Sequence, residues 1–591
     1  MSSRHGAGVI SKASNCSDPD GIAKTKTPTA PKKPGVRKFP RPSFSTDFSV
    51  WSEQRVFQLS LAIRVCQALF LCQTVFVPDE FWQSLEPAHR LVFGTGYLTW
   101  EWREGLRSYL HPLLFAALYK VLDLCRLDGF YTVLTVTPRL FQALLSALAD
   151  IYLLKLTKRL LGPSVALWTW LCFLSTWFSG YCAGRPLVNG LGGVLLWGGP
   201  SGSPGLWVGS LCGGCKTARK FSVYQYLVLA SLAVLIRPTA AVFWIPLFLW
   251  HLVRTRRPLA FLFQLAVPIG LCVLLVTLWI ERLCHGRWTF PVWNFLHFNV
   301  YSGGSAHFGS HPWHWYVSSG LPAVCGPHLL PILLGLIRVS KQLTFLYLSA
   351  LYILLHSFIA HKEFRFLLPV LPLLCVYAGQ WFASLVKGSA HAQSSAAQQA
   401  PPRTRPPSEL DLRSPSARLA KLGLGLLAGL NLALLLFLGL LHQRGTLDTV
   451  RFLHREAHQR HTEGKTSSIW FLMPCHSTPF YSHIHVNISL RFLTCEPNLH
   501  SRPDYVDEAD QFHADPLSWL AKEFPSPDSR SQTLPGGTPV PTHLVMYEWL
   551  HELLDNWLRR QGYRPCARFF HAWLYEPPRQ SEHVDILCRI V

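Results

Sequence analysis

Two neighbouring carboxylates, Asp79 and Glu80, stand in the segment "FVPDEFWQSLEPAHR" (76–90), directly after an apolar stretch. Carboxylates in such a place suit general-base chemistry. A base must reach the hydroxyl whose proton it removes, and burial and neighbouring charge tune its pKa. Adjacent like charges raise the pKa of one of the two. Downstream, "YLTWEWREGLRSYLHP" (97–112) collects Trp100, Glu101, Trp102, Arg103, Glu104 and Arg107. "FGSHPWHWYVSSGLP" (308–322) carries His311, Trp313, His314 and Trp315, and "HKEFRFLLPVLP" (361–372) sets His361, Lys362, Glu363 and Arg365 between two apolar runs. The arginines suit a phosphate, because the planar guanidinium makes forked contacts with such oxygens. Each stretch also has a plain reading. Trp-rich segments form interfacial belts, and charged turns commonly flank two spans. Charges at membrane depth are costly unless paired or wetted, so ionisable clusters there are candidates for function.

The elements that must hold these residues are mostly apolar. Of 591 residues, 49% are hydrophobic and only 15% charged, against about 25% charged in an ordinary soluble domain. Several runs approach the roughly 20 residues needed to cross a bilayer. Spans are expected near 55–76, 107–124, 137–160, 164–183, 186–200, 224–250, 258–280, 318–337, 342–360, 365–386 and 420–441. This is the pattern of an α-helical polytopic membrane protein. The net charge of +22 then reports loops that set orientation rather than a nucleic-acid partner. An odd span count puts the termini on opposite sides. Arg254–Arg257, Arg338–Lys341 and the loop 387–419 fall on the cytosolic side, whereas Lys155, Lys158, Arg159 and "KTARK" near Lys216 fit this map poorly. On the other side lie Asp79, Glu80, Glu101, Glu104 and Glu363.

Three regions follow. Residues 1–53 form a basic tail rich in Ser, Pro, Lys and Gly, expected to be disordered and cytosolic. Residues 54–441 make the membrane body, with a low-complexity cytosolic loop at 387–419. Residues 442–591 have the Trp and Tyr content of a folded soluble domain. Cys475, Cys495, Cys566 and Cys588 lie there, and four cysteines permit three pairings in an oxidising compartment. "NIS" at Asn487 is a glycosylation sequon on the side where glycans are added; "NCS" at Asn15 has the same form on the cytosolic side. No metal site is expected: "CGGC" (212–215) lacks a second ligand pair, and "PCHSTP" lacks a paired ligand set.

"PDEFWQSLEPAHRLVFGTGYLTWEWREGLRSYLHP", "GSHPWHWY", "HKEFRFLLPVLP", "HQRGTLD" and "MPCHSTPFYSHIH" together resemble the GPI mannosyltransferases of glycosyltransferase family 22, specifically the type that adds the third mannose. "PDE" alone is shared across the family; the other four are specific in combination. The resemblance runs from about Gln54 to the C-terminus. It implies a GT-C fold of about 11 spans in the endoplasmic reticulum membrane, with a lumenal active site and a lumenal C-terminal domain of α/β type. It implies dolichyl phosphate mannose as donor, a dimannosyl-glucosaminyl phosphatidylinositol as acceptor and an α-1,2 linkage. Both partners are membrane lipids; no nucleic acid and no cofactor or metal is implied, and protein partners are left open. A β-linked mannosyl phosphate giving an α-mannoside requires inversion in one displacement, hence one carboxylate base and a stabilised leaving phosphate. Asp79 is expected as base, with Glu80 its partner or a substrate ligand. Trp100, Glu101, Trp102, Arg103, Arg107, His311, His314, His361, Lys362, Glu363 and Arg365 are expected around the substrates. Protein cations would replace a metal there.

One stretch departs from the family. At 184–222 relatives carry Arg-Thr-x-Thr-Asn-x-x-Glu at the start of a regular span, whereas this chain keeps Arg185 and Asn189 but has Gly192 in place of Glu within a glycine-rich run. Glycine weakens a helix by about 1 kcal/mol per residue. Two readings stand, a splicing or gene-model error and a genuine divergent loop. Two other functions are compatible with many spans: another lumenal mannosyltransferase of the same family, acting on N-glycan precursors or adding a fourth GPI mannose, and a transporter. A transporter would show repeated halves with broken helices; no internal repeat is visible, and the charges sit in one-sided loops.

Overall fold

The computed structural model describes residues 52–191, 218–338, 343–397, 415–499, 502–524, 539–577 and 579–590. Residues 1–51 of the expected tail 1–53, most of the glycine-rich segment 184–222 and the centre of the loop 387–419 lie outside the described residues, while Ser52 and Glu53 already belong to the first helix and its cap. The described residues belong to one compact unit.

The body is helical, as the apolar runs require. Tyr131–Leu161, Pro258–His285, Tyr316–Arg338 and Pro415–Thr462 are long and apolar enough to cross a membrane. Shorter apolar helices stand at Pro163–Ser175, Val223–Ile236, Thr344–Ser357 and Leu371–Val386. The first helix, Glu53–Phe70, starts at a Ser52 cap whose side chain accepts from the Arg55 amide, and it packs along Tyr131–Leu161. On Val267–His285, the side chains of Leu271, Leu275, Val276, Trp279 and Leu283 are each more than half exposed. Apolar surface of this extent belongs in contact with lipid rather than water.

One expected span is two helices. The run 224–250 is broken into Ala218–Ile236 and Ala241–Arg254 by a short turn, Pro238–Ala240. The reason is local: Pro238 disfavours helical geometry in the residue before it, and Arg237 is extended, with φ −143° and ψ 105°.

The C-terminal part contains a five-stranded sheet of order β2-β1-β3-β5-β4. Its strands are β1 (Ser468–Leu472), β2 (Ser489–Phe492), β3 (His543–Tyr547), β4 (Tyr563–Phe570) and β5 (His583–Arg589). β1 pairs in parallel with β2 and β3, while β5 pairs antiparallel with β3 and β4. Every residue of β1 and β3 is buried, as expected for strands covered on both faces. Trp470, Leu472, Leu544 and Met546 pack with Leu550, Leu554 and Leu558 of the helix Glu548–Arg560. Ile469, Phe471, Val545 and Tyr547 point the other way, into a core shared with Phe81, Trp82, Leu85 and Phe115. The apolar core therefore runs without interruption across the boundary expected at 442. Of the three possible pairings, the structure has Cys475–Cys495 and Cys566–Cys588.

Candidate active site

Where the first helix ends, the chain turns through Pro78 into Phe81–Leu85. Glu80 organises that turn. One carboxylate oxygen accepts from the amides of Phe76 (2.8 Å) and Val77 (3.3 Å), and both oxygens lie 3.0 Å from the Arg185 guanidinium. Arg185 also donates to the Thr74 carbonyl at 2.6 Å and covers the Tyr181 ring at 4.1 Å. With its oxygens so engaged, Glu80 is buried and absent from the cavity wall. The sequence expectation set Glu80 beside the base or against substrate; the structure places it behind the cavity wall, where it props up the turn that presents Asp79.

Asp79 itself lines a cavity of about 410 Å³. Its carboxylate forms an ion pair with Arg365, and Arg365 makes a second ion pair with Glu363. His361 completes the chain, with Nε2 2.7 Å from Glu363 Oε1. Opposing influences set the charges. Burial lifts the Asp79 carboxyl above the ordinary carboxylate range, against the pull of Arg365 and Arg107. Glu363 is half-buried, and partial desolvation pushes its carboxyl up, but Arg365 and His361 outweigh that and hold it down at about 2. Two carboxylates on one arginine thus differ in character: Glu363 stays charged, and Asp79 is the one disposed to take a proton.

A second arm comes from 97–112. Arg107 donates to Glu101 at 2.6 Å, and Gln83 donates to the other Glu101 oxygen at 3.3 Å. The arm is anchored from the helix Val267–His285, where buried Glu281 accepts from the Ser108 hydroxyl (2.5 Å) and the Tyr109 amide (3.1 Å). Gly105 takes φ +67°, and a Cβ there would meet Thr289 Cγ2 at 2.4 Å, so only glycine permits this turn. Trp102 donates its indole N–H to the Trp82 carbonyl at 3.0 Å, and Trp82 donates to the Thr478 carbonyl at 3.1 Å. The "MPCHSTP" segment is tied in this way to the turn that carries Asp79. His476 reaches the cavity 4.7 Å from the Trp82 ring, and burial lowers its imidazole to about 4, leaving it neutral.

Of the expected substrate residues, Trp100, Glu101, Trp102, Arg107, His361, Glu363 and Arg365 line the same cavity as Asp79. Four do not. Arg103 is half-exposed and pairs with Glu496. Lys362 donates to the carbonyls of His311 (3.0 Å) and Ile359 (2.7 Å), clasping two loops together. His311 stacks on Trp315 with ring centroids 4.9 Å apart, and the exposed His314 sits 3.1 Å from the Ser318 hydroxyl. Among the wall residues that the sequence did not assign to the site are Arg237, His111 and Asn189, the last noted only as a retained motif residue. Arg237 was hidden within an apolar run, although the Arg-Pro step there was a visible breaker signal.

Among the described residues, Cys475, His476 and Cys495 form a cluster with metal-ligand composition, their ligand atoms within 4.8 Å of one another. The two cysteines are joined as a disulfide, so their sulfurs are not thiolates that bind a metal. Asn487 is exposed, as a glycan acceptor must be.

A model of the Alg9-like mannosyltransferase family matches residues 55–485. The chain is 39% identical over 538 residues to the GPI alpha-1,2-mannosyltransferase 3 of Danio rerio, covering 90% of each. It is 38% identical over 532 residues to the protein of that name from Homo sapiens, covering 90% of this chain and 86% of that one. Among solved structures, ArnT from Cupriavidus metallidurans bound to undecaprenyl phosphate gives a TM-score of 0.53 at 13% identity, over 91% of this chain and 97% of that one. That last likeness is one of fold, the GT-C arrangement expected from the sequence.

Proposed function

The chain belongs to the Alg9-like mannosyltransferase family, and from that premise we propose that it adds the third mannose to the GPI-anchor precursor. It is a membrane-embedded glycosyltransferase of GT-C type. The donor is dolichyl phosphate mannose, the acceptor is the second mannose of a lipid-linked GPI precursor, and the reaction takes place on the lumenal side of the endoplasmic reticulum. The observation that carries this reading is Asp79, a half-buried carboxylate with a raised pKa on the wall of a roughly 410 Å³ cavity that also bears three arginines.

The chemistry is a single displacement. The acceptor 2-hydroxyl oxygen attacks the mannose C1 from the face opposite the phosphate. Its proton passes to Asp79, and the C1–O bond to the phosphate breaks with the electron pair left on the phosphate oxygen. The raised pKa of Asp79 strengthens its carboxylate as a base. Arg365 orients Asp79, and Glu363 with His361 orients Arg365. Glu101 holds Arg107 against the cavity wall. The aromatic side chains Trp100 and Trp102 give the wall apolar faces on which a sugar can rest. Fixed guanidinium groups supply the electrostatic stabilisation that a leaving phosphate needs, without a metal.

The test is the lipid-linked GPI intermediate in cells lacking this protein. Accumulation at two mannoses, reversed by the native chain, is expected. Accumulation at three mannoses, or of truncated N-glycan precursors with normal GPI lipids, would move the enzyme to another step of the same chemistry.

A further inference from the structure

Arg237 differs from the other charged residues of the cavity. Arg107 is paired with Glu101, and Arg365 with both Asp79 and Glu363. Arg237 is partly buried and lines the same wall, yet among the described residues it forms no ion pair. Its guanidinium is held by neutral groups: Nε donates to Thr239 Oγ1 at 3.0 Å and Nη1 to Asn189 Oδ1. Its face lies over the Phe366 ring, 5.4 Å from the centroid. These contacts fix its direction without giving it a direct ion pair among the described residues. Nη2 has no hydrogen-bond partner among the described residues. A partly desolvated cation without a counter-charge is costly, and a cavity that carries one is built to receive an anion.

The backbone points the same way. Arg237 stands where Pro238 breaks an apolar run, so a charge is delivered to the cavity from within what would otherwise be a continuous span. Asn189 also donates from Nδ2 to the Arg365 carbonyl at 2.7 Å. One amide thereby sets the spacing between Arg237 and the arginine that holds the base. His111 adds a buried Nε2, on the same wall, that is unpartnered among the described residues.

We propose that Arg237 is the ligand for the phosphate of an isoprenyl phosphate donor, placed by Asn189 and Thr239, while Arg365 serves the base. This rests on the mannosyl transfer proposed above. Before transfer the phosphate is a diester with one negative charge, which Arg237 matches. During transfer the acceptor proton neutralises Asp79 as the breaking C1–O bond leaves its electron pair on the phosphate, now a monoester with a second charge. Arg365 loses the charge of one partner at the moment the phosphate gains one. The negative charge thus moves across a site whose cations stay in place.

The experiment uses the full-length enzyme in microsomes, normalised to its abundance, with farnesyl phosphate and farnesol as competitors of mannose transfer. The native enzyme should be inhibited far better by the phosphate than by the alcohol. Arg237→Gln should weaken inhibition by farnesyl phosphate by about ten- to a hundredfold, the size of a charged hydrogen bond, and raise the donor KM to match. Inhibition by farnesol and the acceptor KM should not move, which a loss of packing alone would not produce. Arg237→Lys covers the case of a glutamine variant that fails to accumulate. It should keep only part of the preference for phosphate, because an ammonium cannot hold Thr239 and Asn189 and still reach the anion. A phosphate preference equal to the native one in either variant overturns the assignment of Arg237. A native enzyme indifferent to farnesyl phosphate, or unable to use a dolichyl phosphate donor, overturns instead the transfer reaction on which it rests.

Discussion

Two arginine–carboxylate pairs lie buried in the same protein and are finished differently. Arg64, from the first helix, meets Asp150 of Tyr131–Leu161 through two contacts of 2.9 Å. Gln67 at 3.0 Å and Ser179 at 2.8 Å occupy the remaining directions, and both charged side chains are at most 1% exposed. Arg365 meets Asp79 beside an open cavity, Asp79 remains 18% exposed, and Arg365 Nε has no hydrogen-bond partner among the described residues. The first pair is closed, so its function is to join helices. The second stands on the wall of the cavity, with its carboxylate accessible and one guanidinium N–H unpaired among the described residues. Saturation of hydrogen bonds, rather than burial or charge, separates scaffold from site.

The largest expected effect tests the open pair. Asp79→Asn should lower transfer about a hundred- to ten-thousandfold, the usual range for losing a general base, with abundance and membrane insertion intact. Well-quantified, low-level Asp79→Asn that restores surface GPI-anchored proteins would remove Asp79 from that role. The native pH profile carries the same signature. A base works deprotonated, so the rate should fall as pH drops through the Asp79 pKa. Because burial raises that pKa, the fall should begin above the ordinary range near ~3.9. Glu363, held at about 2, should contribute nothing to it.

The closed pair should fail in the opposite way. Arg64→Ala leaves Asp150 buried without its partner, which typically costs about 3–5 kcal/mol. Thermal unfolding in detergent should drop steeply, while the remaining folded enzyme keeps its donor and acceptor KM. Replacing both residues, as Arg64→Met with Asp150→Leu, should recover much of the loss. A stable single variant with altered KM would mean that the pair belongs to the site after all.

Glu80→Gln sharpens the contrast between sequence neighbours. It keeps shape but weakens the grip on Arg185, at about 1.5–3 kcal/mol for a charged hydrogen bond. Abundance should fall, and activity per folded molecule should fall far less than for Asp79→Asn. Equal losses of specific activity would restore Glu80 to the reaction. Smallest of all, Asn487→Gln should remove one endoglycosidase-sensitive glycan and shift the protein on a gel, with little change in transfer. A native protein without a glycan at Asn487 would put the C-terminal domain on the cytosolic side.

What the residues announce by type and what they announce by spacing are different things. Asp79, Glu101, Arg107, Glu363 and Arg365 were legible because charges are rare in an apolar chain and these gather on one side. Glu80 is as acidic as its neighbour by sequence; only the position of Arg185, 105 residues away, shows its carboxylate turned inward to hold the turn. Lys362, His311 and His314 look reactive and are used in loop contacts. Arg237 was passed over because the hydropathy of its surroundings masked a broken helix.

Composition alone settled that the chain is a polytopic helical membrane protein, because burying or solvating so much apolar surface has few solutions. The joint motifs settled the family, because local stretches keep the chemistry they serve. Tertiary structure decided which carboxylate of the Asp79–Glu80 pair faces the cavity, which two cysteine pairs form, that the C-terminal sheet shares a core with the turn that carries Asp79, and that Arg237 makes no ion pair among the described residues. Those outcomes depend on groups tens to hundreds of residues apart meeting within a few ångströms, and no periodicity or local spacing encodes such a meeting.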